Sequence, residues 1–263
     1  GRAGVKVSDD SLPRKTIRIM EAVAPHVDGI GLSEIARVTG IPKATCYRIL
    51  TVLEEDRWLS VDPETRRYRV SFGLVAVVSH MLERGSFRGV RATLERLTAD
   101  AKETSGFDVL GPPSITVVIQ VPGPQLIAQA PRPVPRTQSV WQTASGKAAL
   151  ALLSREEVEA QFRHAYEMER ADSPIPFDTF VDSLAAVRER GYAYAIDELE
   201  PGAAAVASAI RAPSGSVYAV WVGGPSFRIT RERLPELGAL TNQAATEIER
   251  LIRIDEGLVT AAS

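Results

Sequence analysis

Cysteine is almost absent from this 263-residue chain, Cys46 being the only one. A lone thiol excludes an intrachain disulfide framework and fits a reducing compartment. Histidine is scarce too: His26, His80 and His164 lie far apart, so zinc-ligand spacing is missing. No stretch approaches the roughly 20 uncharged apolar residues that a membrane-spanning helix needs. The opening residues, Gly1-Arg2-Ala3-Gly4-Val5-Lys6, lack the apolar core and cleavage pattern of a secretory leader. Hydrophobic residues at 44% and charged residues at 24% exclude a disordered chain, a collagen-like repeat and a coiled-coil rod. The expectation is a soluble, cytoplasmic protein that needs no metal or cofactor and has no membrane partner.

Neither charge sign dominates, since the formal net charge is −2. Residues 1–69 nevertheless carry 12 Lys+Arg against 10 Asp+Glu, and the remainder 19 against 23. A weakly basic front on an acidic body is compatible with nucleic acid at one end, although many enzymes share it.

Residues 14–57 read as three short helices. Arg14 to Ala24 places Ile17, Met20, Val23 and Ala24 on one stripe. Ser33 is a candidate cap for a second helix, Glu34 to Thr39, which Gly40 ends with a left-handed residue. Pro42 suits the first turn of a third helix, where its missing N–H costs nothing. That helix runs to about Glu55 with Cys46, Ile49, Leu50 and Leu53 inside and Lys43, Thr45, Tyr47, Arg48 and Thr51 outside. Two period-two segments follow, 58–61 and 67–70, around the turn Asp62-Pro63-Glu64-Thr65. Together they predict a β-hairpin directly after a helix–turn–helix.

An apolar helix over 72–84 (Leu74, Val75, Val78, Met81, Leu82) leads to a boundary near Phe87. Beyond it the pattern predicts a helix over about 88–104, then strands at 107–110, 116–121, 125–130 and 137–141. Helices follow at about 145–153, 155–167 and 177–190, strands at 192–197, 203–211 and 216–222, and a closing helix over 231–252. Short connections favour an antiparallel sheet with helices on one side.

A helical hairpin with a polar outer face has the form that enters the DNA major groove. Arg48 can fork onto guanine, Thr45 can touch a thymine methyl or a phosphate, and Arg66, Arg67 and Arg69 can neutralise phosphates as a wing does. The plainer alternative is a three-helix packing unit with solvated arginines.

The run from Gly31-Leu32-Ser33-Glu34-Ile35-Ala36 through Pro42-Lys43-Ala44-Thr45-Cys46-Tyr47-Arg48, with Asp62-Pro63-Glu64-Thr65-Arg66-Arg67-Tyr68, resembles the isocitrate-lyase-regulator (IclR) family. Three later segments agree: Thr143-Ala144-Ser145-Gly146-Lys147-Ala148, Asp197-Glu198-Leu199-Glu200-Pro201-Gly202, and Gly223-Gly224-Pro225. The resemblance spans about residues 14–250. It implies an α+β fold: a winged helix–turn–helix (11–71), a linker helix (72–87) that dimerises, and a GAF-like effector domain with an antiparallel sheet (88–256). It also implies a non-enzymatic regulator, a repressor of a catabolic operon, whose homodimer, paired or not into a tetramer, reads a near-palindromic operator in double-stranded DNA. Ser33, Lys43, Ala44, Thr45, Tyr47 and Arg48, with Arg66, Arg67 and Tyr68 of the wing, take the DNA-contacting positions.

In that family an effector lies against the glycine–lysine helix start, where unpaired N–H groups favour a carboxylate. Thr143, Ala144, Ser145 and Gly146 occupy that start, and Asp197 opens the acidic loop. Trp141, Ala205, Trp221 and Gly223 stand where the family often has hydrogen-bonding residues. Two indoles and fewer polar groups suit an apolar or aromatic acid. The alternative is that Trp141 and Trp221 are core residues pointing away from any cavity, and that Lys147 is a solvated helix residue.

Other chemistries fit poorly. Ser145-Gly146-Lys147 is not a phosphate-binding loop, because Trp141 stands where its first glycine belongs and Ala148 replaces the metal-binding hydroxyl. Cys46, on an inner helix face, reads as a small hydrophobe. No nucleophile elbow accompanies the histidines. The competing class is a small-molecule-binding enzyme or sensor whose front domain does not touch DNA.

Overall fold

The computed structural model describes residues 11–71, 73–74, 85–125, 133–170 and 175–255. Contacts divide the chain into two compact units, Gly1–Glu83 and Arg84–Ser263.

The first unit holds α1 (Leu12–Val23), β1 (Ile30–Gly31), α2 (Leu32–Thr39), α3 (Lys43–Glu55), β2 (Leu59–Val61) and β3 (Arg67–Val70). The three strands form one antiparallel sheet in the order β1-β3-β2, with Tyr68 facing Ile30 on one side and Val61 on the other. Ile19, Val23, Ile35, Cys46, Leu50 and Leu59 fill the space beneath. Gly40 ends α2 at φ +68°, a conformation that glycine reaches without a Cβ penalty. Asp62 Oδ1 accepts from the amides of Glu64 and Thr65 at 3.0 and 2.8 Å, which closes the turn between β2 and β3.

Three local expectations need correction here. The buried stripe of α1 is Ile19 and Val23 with Met20 beside it, and Ile17 is 57% exposed, because it lies roughly 200° round the helix from Ile19. The helix itself begins two residues early, at Leu12, with Pro13 in its first turn. Ser33 does not cap α2: the cap position is Gly31, whose extended backbone is already paired in β1, and Ser33 sits exposed in the first turn. Pro42 is itself the cap position of α3 rather than its first helical residue.

The second unit contains α4 (Gly85–Ala101), β4 (Thr104–Gly111), β5 (Ser114–Val121), β6 (Arg136–Ser139), α5 (Ala144–Ala151), α6 (Arg155–Glu169), α7 (Phe177–Arg190), β7 (Ala193–Ile196), β8 (Ala203–Arg211), β9 (Val217–Pro225) and α8 (Leu234–Asp255). The strands form a six-stranded antiparallel sheet, ordered β6-β5-β4-β9-β8-β7. Helices cover both of its faces, not one. The reason lies in the strands: in β8, Ala204, Val206 and Ile210 point one way and Ala205, Ala207 and Ala209 the other. A sheet apolar on both faces must be covered on both. Leu94 of α4 and Leu237 and Ile248 of α8 pack on one face, and Leu150, Phe162 and Leu184 of α5 to α7 on the other.

The expected strand over 125–130 and most of the apolar helix over 72–84 lie outside the described residues. Among the described residues, no helix is long and apolar enough to cross a membrane.

Candidate functional site

The outer face of α3 is built by default from what its inner face buries. With Cys46, Ile49, Leu50 and Leu53 turned into the core, Lys43, Ala44, Tyr47 and Arg48 are left facing solvent. Tyr47 is 50% exposed, unusual for an aromatic side chain with no packing partner to gain. Neither Lys43 nor Arg48 is engaged by a carboxylate among the described residues, so both charges stand open to an anion. Thr45 is half-buried, beside Arg48 and Val52 in a shallow groove shared with Leu12 and Thr16.

In the wing, alternation along β3 turns Arg67 and Arg69 outward and Tyr68 inward. Tyr68 is 4% exposed and belongs to the core, so a DNA contact from its ring is not available; this corrects its placement among the wing contacts. Arg67 is outward, but its Nε donates to the Gly29 carbonyl at 2.9 Å, which fixes its stem. Arg66 is exposed at φ +54° on the turn.

The second site forms where α5 begins against the sheet. Thr143 caps the helix: its Oγ1 accepts from the Gly146 amide at 3.1 Å and donates to the Ser139 carbonyl at 2.8 Å. Gly146 is there for closeness, since a Cβ would overlap the backbone of Val140. Its amide, spent on Thr143, is therefore not free for a ligand. The amides of Ala144 and Ser145 have no carbonyl one turn back to bond, and both residues line a cavity.

That cavity also takes Arg136 and Gln138 from β6, Gln142, Ala205 from β8, Trp221 from β9 and Leu199 from the 197–202 loop. Arg136 donates to the Gln120 side chain at 2.6 Å. Lys147 does not reach the cavity as a ligand group. It bridges both oxygens of Glu198 at 2.7 and 2.9 Å, and Gln142 Nε2 donates to the Glu198 carbonyl at 3.1 Å. These bonds hold the acidic loop over the start of α5.

Of the effector residues expected from sequence, the cavity brings together Thr143, Ala144, Ser145, Ala205 and Trp221. Trp141 is placed elsewhere: its ring meets Phe162, Tyr166 and Phe180 edge-on at 5.0 to 5.9 Å, and its Nε1 donates to Glu169 at 2.8 Å. It is a core residue, because an indole with three aromatic neighbours and a carboxylate has every group satisfied. Asp197, at φ +57°, shapes the loop by accepting from the Gly202 amide at 2.7 Å, and Gly223 is a buried strand residue.

Sequence reasoning missed Arg136, Gln138 and Leu199. The signal for the first two was Arg136-Thr137-Gln138, two polar residues at strand spacing. It also missed Asp108, a single carboxylate inside the apolar strand Phe107–Leu110. Asp108 is fully buried, and its Oδ1 accepts from Trp221 Nε1 at 2.6 Å. Burial pushes its carboxyl up to about 6, against the opposing pull of nearby Ser145, Trp221 and Arg136.

Comparison with known proteins agrees with this layout. Residues 13–63 match the IclR helix-turn-helix domain, and residues 83–250 match the bacterial transcriptional regulator IclR C-terminal domain. The chain is 30% identical over 240 residues to the acetate operon repressor of Salmonella typhimurium, covering 88% of this chain and 86% of that protein. It is 27% identical to the transcriptional repressor IclR of Escherichia coli over the same shares. It is also similar to the structure of an IclR family transcriptional regulator from Brucella abortus, with TM-score 0.71, 22% identity, and coverage of 95% and 93% of the two chains. At that identity the last likeness speaks for the fold.

Proposed function

Since this chain belongs to the IclR family of bacterial DNA-binding transcriptional regulators, we propose that it represses a catabolic operon and is released by a small organic acid with an apolar, aromatic body. The observation that carries the ligand class is the cavity at the start of α5. There the Arg136 guanidinium and two helix-start amides offer positive potential, and Trp221, Leu199 and Ala205 offer an apolar wall.

The DNA contacts in this reading come from Lys43, Ala44, Thr45, Tyr47 and Arg48 on α3, with Ser33 at the start of α2 and Arg66 and Arg67 in the wing. The functional divisions are a DNA-binding segment at 11–71, a linker at 72–87 and an effector-binding segment of GAF-like type at 88–256. The apolar stripe Leu74, Val75, Val78, Met81 and Leu82 of the linker pairs with its counterpart in a second copy, giving the two-fold protein that a near-palindromic operator needs.

An electrophoretic shift on the DNA upstream of the chain's own gene tests the reading. The complex should weaken steeply with salt, as phosphate contacts require, and dissociate on adding an aromatic acid. A shift indifferent to salt, or unaffected by every acid tried, would overturn it.

A further inference from the structure

Asp108 sits on β4 between Val117 of β5 and Ala219 of β9, on the sheet face that carries Trp221. It has no exposed surface, and among the described residues its Oδ2 has no hydrogen-bond partner. Buried carboxylate oxygens are rarely left so, because an uncompensated negative charge in an apolar surrounding is costly. Its two polar neighbours, Ser145 and Trp221, both line the cavity at the α5 start. The charges and donors that act on Asp108 among the described residues are few: Arg136 from β6, the Ser145 hydroxyl from α5 and the Trp221 indole from β9. Lys147, also on α5, is taken up by Glu198.

The orphaned oxygen therefore lies behind the very residues to which an anion would bind. With Asp108 ionised, an incoming carboxylate meets a like charge in a medium of low dielectric, and it also draws on Arg136, which otherwise offsets Asp108. With Asp108 neutral, Oδ1 still accepts from Trp221, and the nearby Ser145 hydroxyl is no longer drawn toward a negative charge. That hydroxyl is then free to donate to a bound carboxylate.

We propose that Asp108 makes the cavity proton-linked: an organic-acid effector is bound as its anion together with one proton from solvent, which resides on Asp108 Oδ2. The inference rests on the reading that this cavity holds an organic acid. Asp108 touches no ligand directly; it is a positioning residue that sets when the cavity accepts an anion, acting through Ser145 and Trp221.

The test uses the full chain, with benzoate and pyruvate as probes. Titration calorimetry in buffers of different ionisation enthalpy counts protons taken up per acid bound, and repeating it from pH 5 to pH 8 gives the affinity profile. In the wild type, affinity should fall roughly tenfold per pH unit above neutrality, with uptake near one proton at pH 7.5. Asp108→Asn, a neutral isostere that still accepts from Trp221, should bind with no proton uptake and an affinity constant within about twofold across the range. Trp221→Phe, which keeps Asp108 but removes its donor, should move the fall in affinity to higher pH. Binding by the wild type with no proton uptake, or equal uptake in Asp108→Asn, overturns the proposal and leaves the cavity's assignment standing. If neither acid binds wild type or Asp108→Asn at any pH, the organic-acid reading falls and takes this proposal with it.

Discussion

The Trp221 indole and the Asp108 carboxylate are joined across β9 and β4 by a 2.6 Å hydrogen bond, and the indole packs against Gly106, where a Cβ would collide with its ring. One residue of β9 thus lines the cavity and at the same time holds the buried acid beneath it.

The first prediction concerns stability and pH. The folded-state pKa of Asp108, about 6, lies above its ordinary 3.8, so the ionised form is the one the fold disfavours. The penalty is complete above pH 7, shrinks as pH falls through 6, and vanishes below the unfolded value. Asp108→Asn should therefore stabilise the second unit by roughly 2–3 kcal/mol at pH 7.5 and by almost nothing near pH 4. Urea melts of both proteins at the two pH values check this, and an equal difference at both would remove Asp108 as the cause.

A second prediction follows from Gly146. Because a Cβ there would overlap main-chain atoms of Val140, the clash cannot be relieved by a side-chain rotation. Gly146→Ala should cost at least about 2 kcal/mol, since helix and strand must separate, whereas Gly111→Ala, with open space around it, should cost under about 1 kcal/mol. Thermal melts of the two variants decide it; equal losses would mean that the close approach is not rigid.

How far such features can be read in a sequence depends on the range of the interaction. The helix–turn–helix is legible because its signals are local: Gly40, Pro42 and the inner stripe Cys46, Ile49, Leu50 and Leu53 act within a few residues. The start of α5 is legible for the same reason. The inward turn of Tyr68 follows from the alternation of β3, yet its family position draws attention to the wing instead. The cavity is less legible, since Arg136, Ser145, Leu199 and Trp221 come from four segments that only the strand order β6-β5-β4-β9-β8-β7 brings near one another. Trp141 and Trp221 look alike in sequence. What separates them is long-range: Glu169 and three aromatic rings hold one, Asp108 and Gly106 the other.

On DNA, Arg48 and Arg66 should behave differently. Arg48 stands on the exposed face of α3, and in the proposed reading it contacts a base, so Arg48→Ala should cost roughly 1–3 kcal/mol on the operator and relax preference at one position. Arg66→Ala should weaken operator and random DNA alike and lower the salt slope by about one contact. Binding isotherms on both DNAs over a salt series separate the two. Equal losses on both DNAs for Arg48→Ala would make it a phosphate contact.

The bridge from Lys147 to Glu198 should matter more for ligand exchange than for folding. Glu198 is partly exposed, so Lys147→Met should change stability by no more than about 1 kcal/mol. The same change frees the loop that carries Leu199 over the cavity, and effector dissociation should speed up several-fold. Stopped-flow tryptophan fluorescence reads the rate, and an unchanged rate would mean that the loop does not cover the path of exit.

In the proposed reading, Trp221 decides what the cavity selects. Its ring lines the cavity with Leu199 and Ala205, and the same cavity takes Arg136 and the first residues of α5. An aromatic acid can place its carboxylate by Arg136 and its ring against the indole, whereas pyruvate or glyoxylate leaves the indole uncovered. Wild type should therefore bind benzoate-like acids at least about tenfold more tightly than small keto acids, a difference of roughly 1.4 kcal/mol or more, within reach of one aromatic contact and its buried area. Trp221→Ser removes the ring while leaving Arg136 and the amides in place. It should lose most of the aromatic preference and little of the affinity for pyruvate. A wild type that binds the keto acids more tightly, or a Trp221→Ser variant that keeps the aromatic preference, would place the apolar end of the ligand somewhere other than against Trp221.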